Sequence, residues 1–127
     1  MTKAEMEKAI IDKIKRCVAM NNEIDSERRA FIAKDIENGT NPDFWKDQFF
    51  FNGYIYEENL RDIISLVLFD KYSEVYKRFG KRFIRSGHYV NNLTDDEWDK
   101  VDRVIEGMKK ANIIRFSKSG AMVRLVK

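Results

Sequence analysis

Apolar residues recur at three- and four-residue spacing through most of this 127-residue chain and change to alternation only near its end. The first spacing lines one face of an α-helix, the second one face of a strand. The pattern restricts the chain to amphipathic helices followed by a small β element. The change is sharpest between residues 94 and 125. Thr94-Asp95-Asp96-Glu97 is a capping box, in which the Thr hydroxyl accepts from the Glu amide and the Glu carboxylate from the Thr amide. Leu93 and Trp98 stand at the N′ and N4 positions of a hydrophobic staple, and Val101, Ile105 and Met108 carry the apolar face to about Ala111, with Asn112 as C-cap. Beyond it, Ile114 and Phe116 flank Arg115, and Val123 and Leu125 flank Arg124, about a Ser117-Lys118-Ser119-Gly120 turn. That alternation about a Gly-containing loop predicts a β-hairpin.

Upstream, Met6, Ile10, Ile14, Cys17 and Val18 predict a first helix from about Lys3 to Asn21, with Asn21-Asn22 ending it. Ile32, Ala33 and Ile36 predict a second from about Ser26 to Asn38, and Gly39 suits the position after its end. Asn41-Pro42 opens a short helix carrying Phe44, Trp45, Phe49, Phe50 and Phe51, which Gly53 stops. From Leu60 to Phe79 the helical phase is unbroken, which fits one long helix or two that break between Asp70 and Ser73. Residues 82–91 read as two short extended pieces around Ser86-Gly87. The expected class is mainly α, in one domain over 1–127. Its helical N-terminal part covers 1–53, and a C-terminal part over 57–127 ends in the hairpin.

A chain that is 43% hydrophobic and 13% aromatic has the apolar area to offset ordering entropy, which excludes a disordered protein. Cys17 is the one cysteine, so no internal disulfide forms; on the apolar helix face it reads as a buried, inert thiol. The first seven residues are charged and carry no secretory signal pattern. The run Ile63 to Phe69, interrupted by Ser65, is far shorter than the ~20 residues of a membrane span. A cytoplasmic protein without membrane attachment is expected.

Chemistry finds little to work with. With one histidine and one cysteine, no site of the usual zinc type can form, and no calcium-loop spacing is present. Asp95, Asp96, Glu97 and Asp99 are explained by capping and the positive end of the helix dipole. His88 has no Ser or Cys nucleophile in a recognisable pattern beside it and reads as a surface or turn residue. A carboxylate site alone stays open, and Asp/Glu acid–base pairs leave no local signature. The expectation is a non-enzyme, with no catalytic residues, no metal and no cofactor; the minor alternative is a carboxylate-based enzyme.

Binding surfaces are easier to find. Between Val75 and Thr94 the chain holds Lys77, Arg78, Lys81, Arg82, Arg85 and His88, with aromatics interleaved; no acid stands within that cationic run. Clustered cations release counterions from a phosphate backbone, and exposed rings stack bases. From residue 57 onward the element order resembles that of winged helix-turn-helix proteins. On that resemblance Thr94–Ala111 takes the recognition-helix position, and the hairpin is a wing with Arg115, Lys118, Arg124 and Lys127 as its cations. Ordinary major-groove readout conflicts with the charge: Thr94 to Asn112 holds six acids and four bases. The expected function is therefore binding of nucleic acid or a nucleoprotein through the 77–88 segment and the wing. The alternative is a protein-directed inhibitor or adaptor, of the kind phages and mobile elements encode. It would present Asp95, Asp96, Asp99 and Asp102 to a basic protein. Finally, Phe44 to Tyr56 puts seven rings within thirteen residues. Phe49-Phe50-Phe51 cannot share one helix face, so at least one, with Phe50 as the candidate, should meet another helix, a second copy in a homodimer or a protein partner.

Overall fold

A computed structural model describes residues 1–70 and 93–126. Helix α1 spans Lys3–Glu37, a 3-10 turn Pro42–Trp45, strand β1 Ile55–Tyr56, helix α2 Glu57–Phe69, helix α3 Asp95–Lys110, and strands β2 and β3 Ile114–Phe116 and Met122–Leu125. The architecture is mainly α with a small antiparallel sheet of order β1-β3-β2.

Helix α1 is one 35-residue helix, about 52 Å long, not the two expected. A capping box starts it: Thr2 Oγ1 accepts from the Glu5 amide and Glu5 Oε1 from the Thr2 amide, both at 3.1 Å. Its buried positions are Ile10, Ile14, Cys17, Asn21 and Asp25, a three–four stripe that continues through the residues read as a stop. Asn costs a helix interior well under 1 kcal/mol, so tertiary contact decides its fate. Here the fully buried Asn21 donates Nδ2 to the Tyr54 carbonyl at 3.1 Å. The helix ends as the Gly39 signal indicates, with Asn38 as cap and Gly39 at φ 111°.

The next expected helix shrinks to the single turn Pro42–Trp45, capped by Asn41 Oδ1 on the Asp43 amide at 3.0 Å. Phe49, Phe50 and Phe51 lie outside any helix. Their backbone groups are bound elsewhere. Asp25 accepts from the Phe51 and Asn52 amides, each at 2.9 Å, and Arg28 donates to the Phe49 carbonyl.

Strand β1 was not anticipated. Its two residues pair with β3, Ile55 with Val123 and Tyr56 with Met122. Helix α2 follows at once, and its first amide, Glu57, donates to the Ala121 carbonyl just before β3 at 3.0 Å. The sheet thereby caps the helix. Helix α2 stops at Phe69, with Asp70 left-handed at φ 53°, so the break near Asp70 replaces the long helix to Phe79. The extended pieces expected over 82–91 lie outside the described residues.

Helix α3 and the hairpin match expectation closely. Thr94 and Glu97 form the reciprocal cap at 3.2 and 2.9 Å, and the helix ends at Lys110 with Asn112 left-handed at φ 59°. In the hairpin Ile114 faces Leu125, Arg115 faces Arg124 and Phe116 faces Val123. The common core is Ile10, Ile14 and Cys17 from α1; Leu60, Ile63 and Ile64 from α2; Val101, Ile105 and Met108 from α3; and Ile55, Ile114 and Val123 from the sheet. None of the described helices is long and apolar enough to cross a membrane.

Candidate nucleic-acid interface

The sheet has two faces because strand side chains alternate. Ile55, Ile114 and Val123 point into the core, which leaves Arg115, Met122, Arg124 and Tyr56 on the opposite face. Arg115 and Arg124 are exposed; Met122 and Tyr56 are half-buried. Tyr54, just before β1, joins them, since the Arg124 guanidinium lies 5.5 Å from its ring centre. Lys118 is exposed at the hairpin tip. The tip is held by Ser117, whose Oγ accepts from the Met122 amide at 3.2 Å, and by Gly120 at φ 79°.

The electrostatics of this face are one-sided. Arg115 and Arg124 are direct cross-strand partners, and like charges in that relation destabilise a strand pair. No salt bridge to an acid is found for Arg115, Lys118 or Arg124 among the described residues. The chain has no acid after Glu106. Beside Arg124 opens a pocket of about 270 Å³ between α1 and the end of β3, lined by Lys15, Val18, Asn22, Gly53, Arg124 and Leu125. It contains two cations and no acid.

No family model, curated protein or solved structure matches this chain.

The acidic surface of α3 is present as its sequence indicates: Asp95, Asp96, Asp99 and Asp102 are all exposed. Asp102 also accepts from Arg61 Nη1 at 2.6 Å, while Arg61 Nε donates to Glu57. Burial alone would push the Arg61 guanidinium pKa down, but the bonds to Asp102 and Glu57 outweigh it and raise it. Arg61 also sits 5.8 Å from the Trp98 ring centre, so it ties α2 to α3 as a fixed cation.

The expected interface residues thus divide. Arg115, Lys118 and Arg124 share the hairpin and are open to solvent. Lys77, Arg78, Lys81, Arg82, Arg85 and His88 lie outside the described residues. Phe50 is half-buried, with the Arg29 guanidinium 4.2 Å from its ring centre, so it is not the free ring of its trio. The most exposed of the three is Phe49, at 44%, which meets the buried Phe51 edge-on with ring centres 5.0 Å apart. More exposed still are Phe31 and Phe44, at 62% and 72%, which flank Trp45 edge-on. Cys17 is buried, as expected, with Asn59 Nδ2 at 4.0 Å from its sulfur. The described residues hold no group of three or more His, Cys, Asp or Glu arranged to bind a metal. Sequence reasoning missed Lys15 and Met122, and it grouped Tyr54 and Tyr56 with the ring cluster without placing them beside the hairpin cations; Met122 carried a local signal as the outward position before Val123 in the alternation.

Proposed function

We propose that this chain is a non-enzymatic nucleic-acid-binding protein that grips the sugar–phosphate backbone with its β2–β3 hairpin. The observation that carries the reading is the directly opposed, exposed pair Arg115 and Arg124 on an acid-free stretch of chain. Opposed like charges cost stability in the free protein, and an anion lodged between them reverses the sign. Lys118 at the tip extends the same positive edge. Lys77, Arg78, Lys81, Arg82, Arg85 and His88 supply a second cationic stretch in the sequence.

The reading treats the hairpin as a wing. A strand, a helix, a later helix and a hairpin, with the first strand paired to the last, support a winged-helix-like arrangement. Helix α3 then holds the recognition-helix position, yet Asp95, Asp96 and Asp99 on its exposed N-terminal turns would repel a major groove. Contact by the wing rather than by α3 follows. A cytoplasmic setting belongs to the same reading.

The rival is a protein-directed inhibitor or adaptor that offers Asp95, Asp96 and Asp99 to a basic partner. On that face Asp102 is exposed as well but already accepts from Arg61. The two readings separate in a retention experiment. The full chain should be held on immobilised DNA or RNA at low salt, and Arg115→Glu with Arg124→Glu should release it. An Asp96→Lys, Asp99→Lys variant should be held at least as well. No retention of the unaltered chain at low salt would sink the proposal.

A further inference from the structure

We infer that the strand taken up is single-stranded, with a base against Tyr54 and its phosphate between Arg124 and Lys15. The inference rests on the nucleic-acid reading above and specifies its ligand. On the outer sheet face, polar charge and flat apolar groups stand in adjacent rows. Tyr56 lies opposite Met122, and the next row holds Tyr54, Arg124 and Arg115. Arg124 meets the Tyr54 ring at 5.5 Å, donates Nε to the Leu125 carbonyl at 3.4 Å and lines the 270 Å³ pocket, where Lys15 is the second cation.

A duplex offers such a face only phosphates, because its bases are stacked on one another. A single strand offers phosphates and free base faces together, which is what cations beside rings select. The pocket, at about 270 Å³, falls just below the roughly 300–1,000 Å³ of ordinary ligand sites, so it takes in part of a strand and not an extended ligand. Its walls are apolar at Val18 and Leu125 and polar at Asn22, beside the two cations that would take the phosphate. Tyr54 is held in register from behind, since the buried Asn21 side chain donates to its carbonyl. The backbone that carries the ring is thereby fixed before any ligand arrives.

The test compares a labelled single strand of about 20 nucleotides with its duplex at one salt concentration, against the full chain and three variants. The unaltered chain should bind the single strand about tenfold tighter than the duplex. Tyr54→Leu should weaken single-strand binding about fivefold or more and leave the duplex unchanged, whereas Tyr54→Phe, which keeps the ring, should bind like the parent. Lys15 is exposed, so Lys15→Gln leaves the fold intact and should weaken the single strand selectively. Equal or tighter binding of the duplex overturns the inference while the nucleic-acid reading stands. So does a Lys15→Gln variant that binds the single strand like the parent. Binding of neither form overturns both.

Discussion

Four fully or nearly fully buried polar side chains among the described residues, Asn21, Asp25, Asn59 and Ser65, sit in helices among apolar ones. Asp25 is the most consequential. Its two carboxylate oxygens accept from consecutive amides, Phe51 and Asn52, and so fix the approach to β1. Removing the acceptor leaves donors without partners in a place water reaches poorly. Asp25→Ala should therefore cost about 2–3 kcal/mol, read as a lower urea midpoint at unchanged slope. Asp25→Asn, which keeps one carbonyl, should cost less. The same residues show why the long helix was illegible. Asn and Asp favour stops and caps when only their neighbours are considered. The groups that hold Asn21 and Asp25 inside a helix lie more than twenty residues away, at Tyr54 and at Phe51 and Asn52.

Elements set by local chemistry were legible; elements set by a distant partner were not. Both halves of the α3 cap and the alternation of the hairpin lie within a few residues, and both formed as read. Strand β1 is two residues long and exists because β3 pairs with it. The helix expected over Phe49–Phe51 lost its backbone groups to α1. The first turn of α1 carries a pH prediction. Bonds from the Thr2 amide and hydroxyl side hold the Glu5 carboxyl below its ordinary value. A depressed carboxylate adds stability that is complete above its unfolded value and is lost as pH falls through the folded one. Protection of the amides in the first turn of α1 against hydrogen exchange should hold at neutral pH and decline below pH 4.5. Glu5→Gln keeps a capping side chain but cannot titrate, so its protection should stay level across that range.

At the scale of the whole molecule, charge is divided between two ends of one short stretch. Exposed Asp95, Asp96 and Asp99 open α3, and exposed Arg115, Lys118 and Arg124 follow it on the hairpin. The cations could be read from alternation alone. Their setting could not, because Tyr54 and Tyr56 reach the same face only through the pairing of β1 with β3. The opposed arginines imply a trade between stability and binding. Arg115→Glu places a carboxylate opposite Arg124 and should raise stability by about 0.2–1 kcal/mol, seen as a higher melting temperature, while it weakens nucleic-acid binding. The most direct test of the account is the salt dependence of binding. Each phosphate neutralised on a single strand contributes about −0.7 to the slope of log affinity against log salt. The account predicts a steep negative slope for the full chain, made shallower by about 1.4 in the Arg115→Gln, Arg124→Gln variant. A slope that those two substitutions leave unchanged would contradict it.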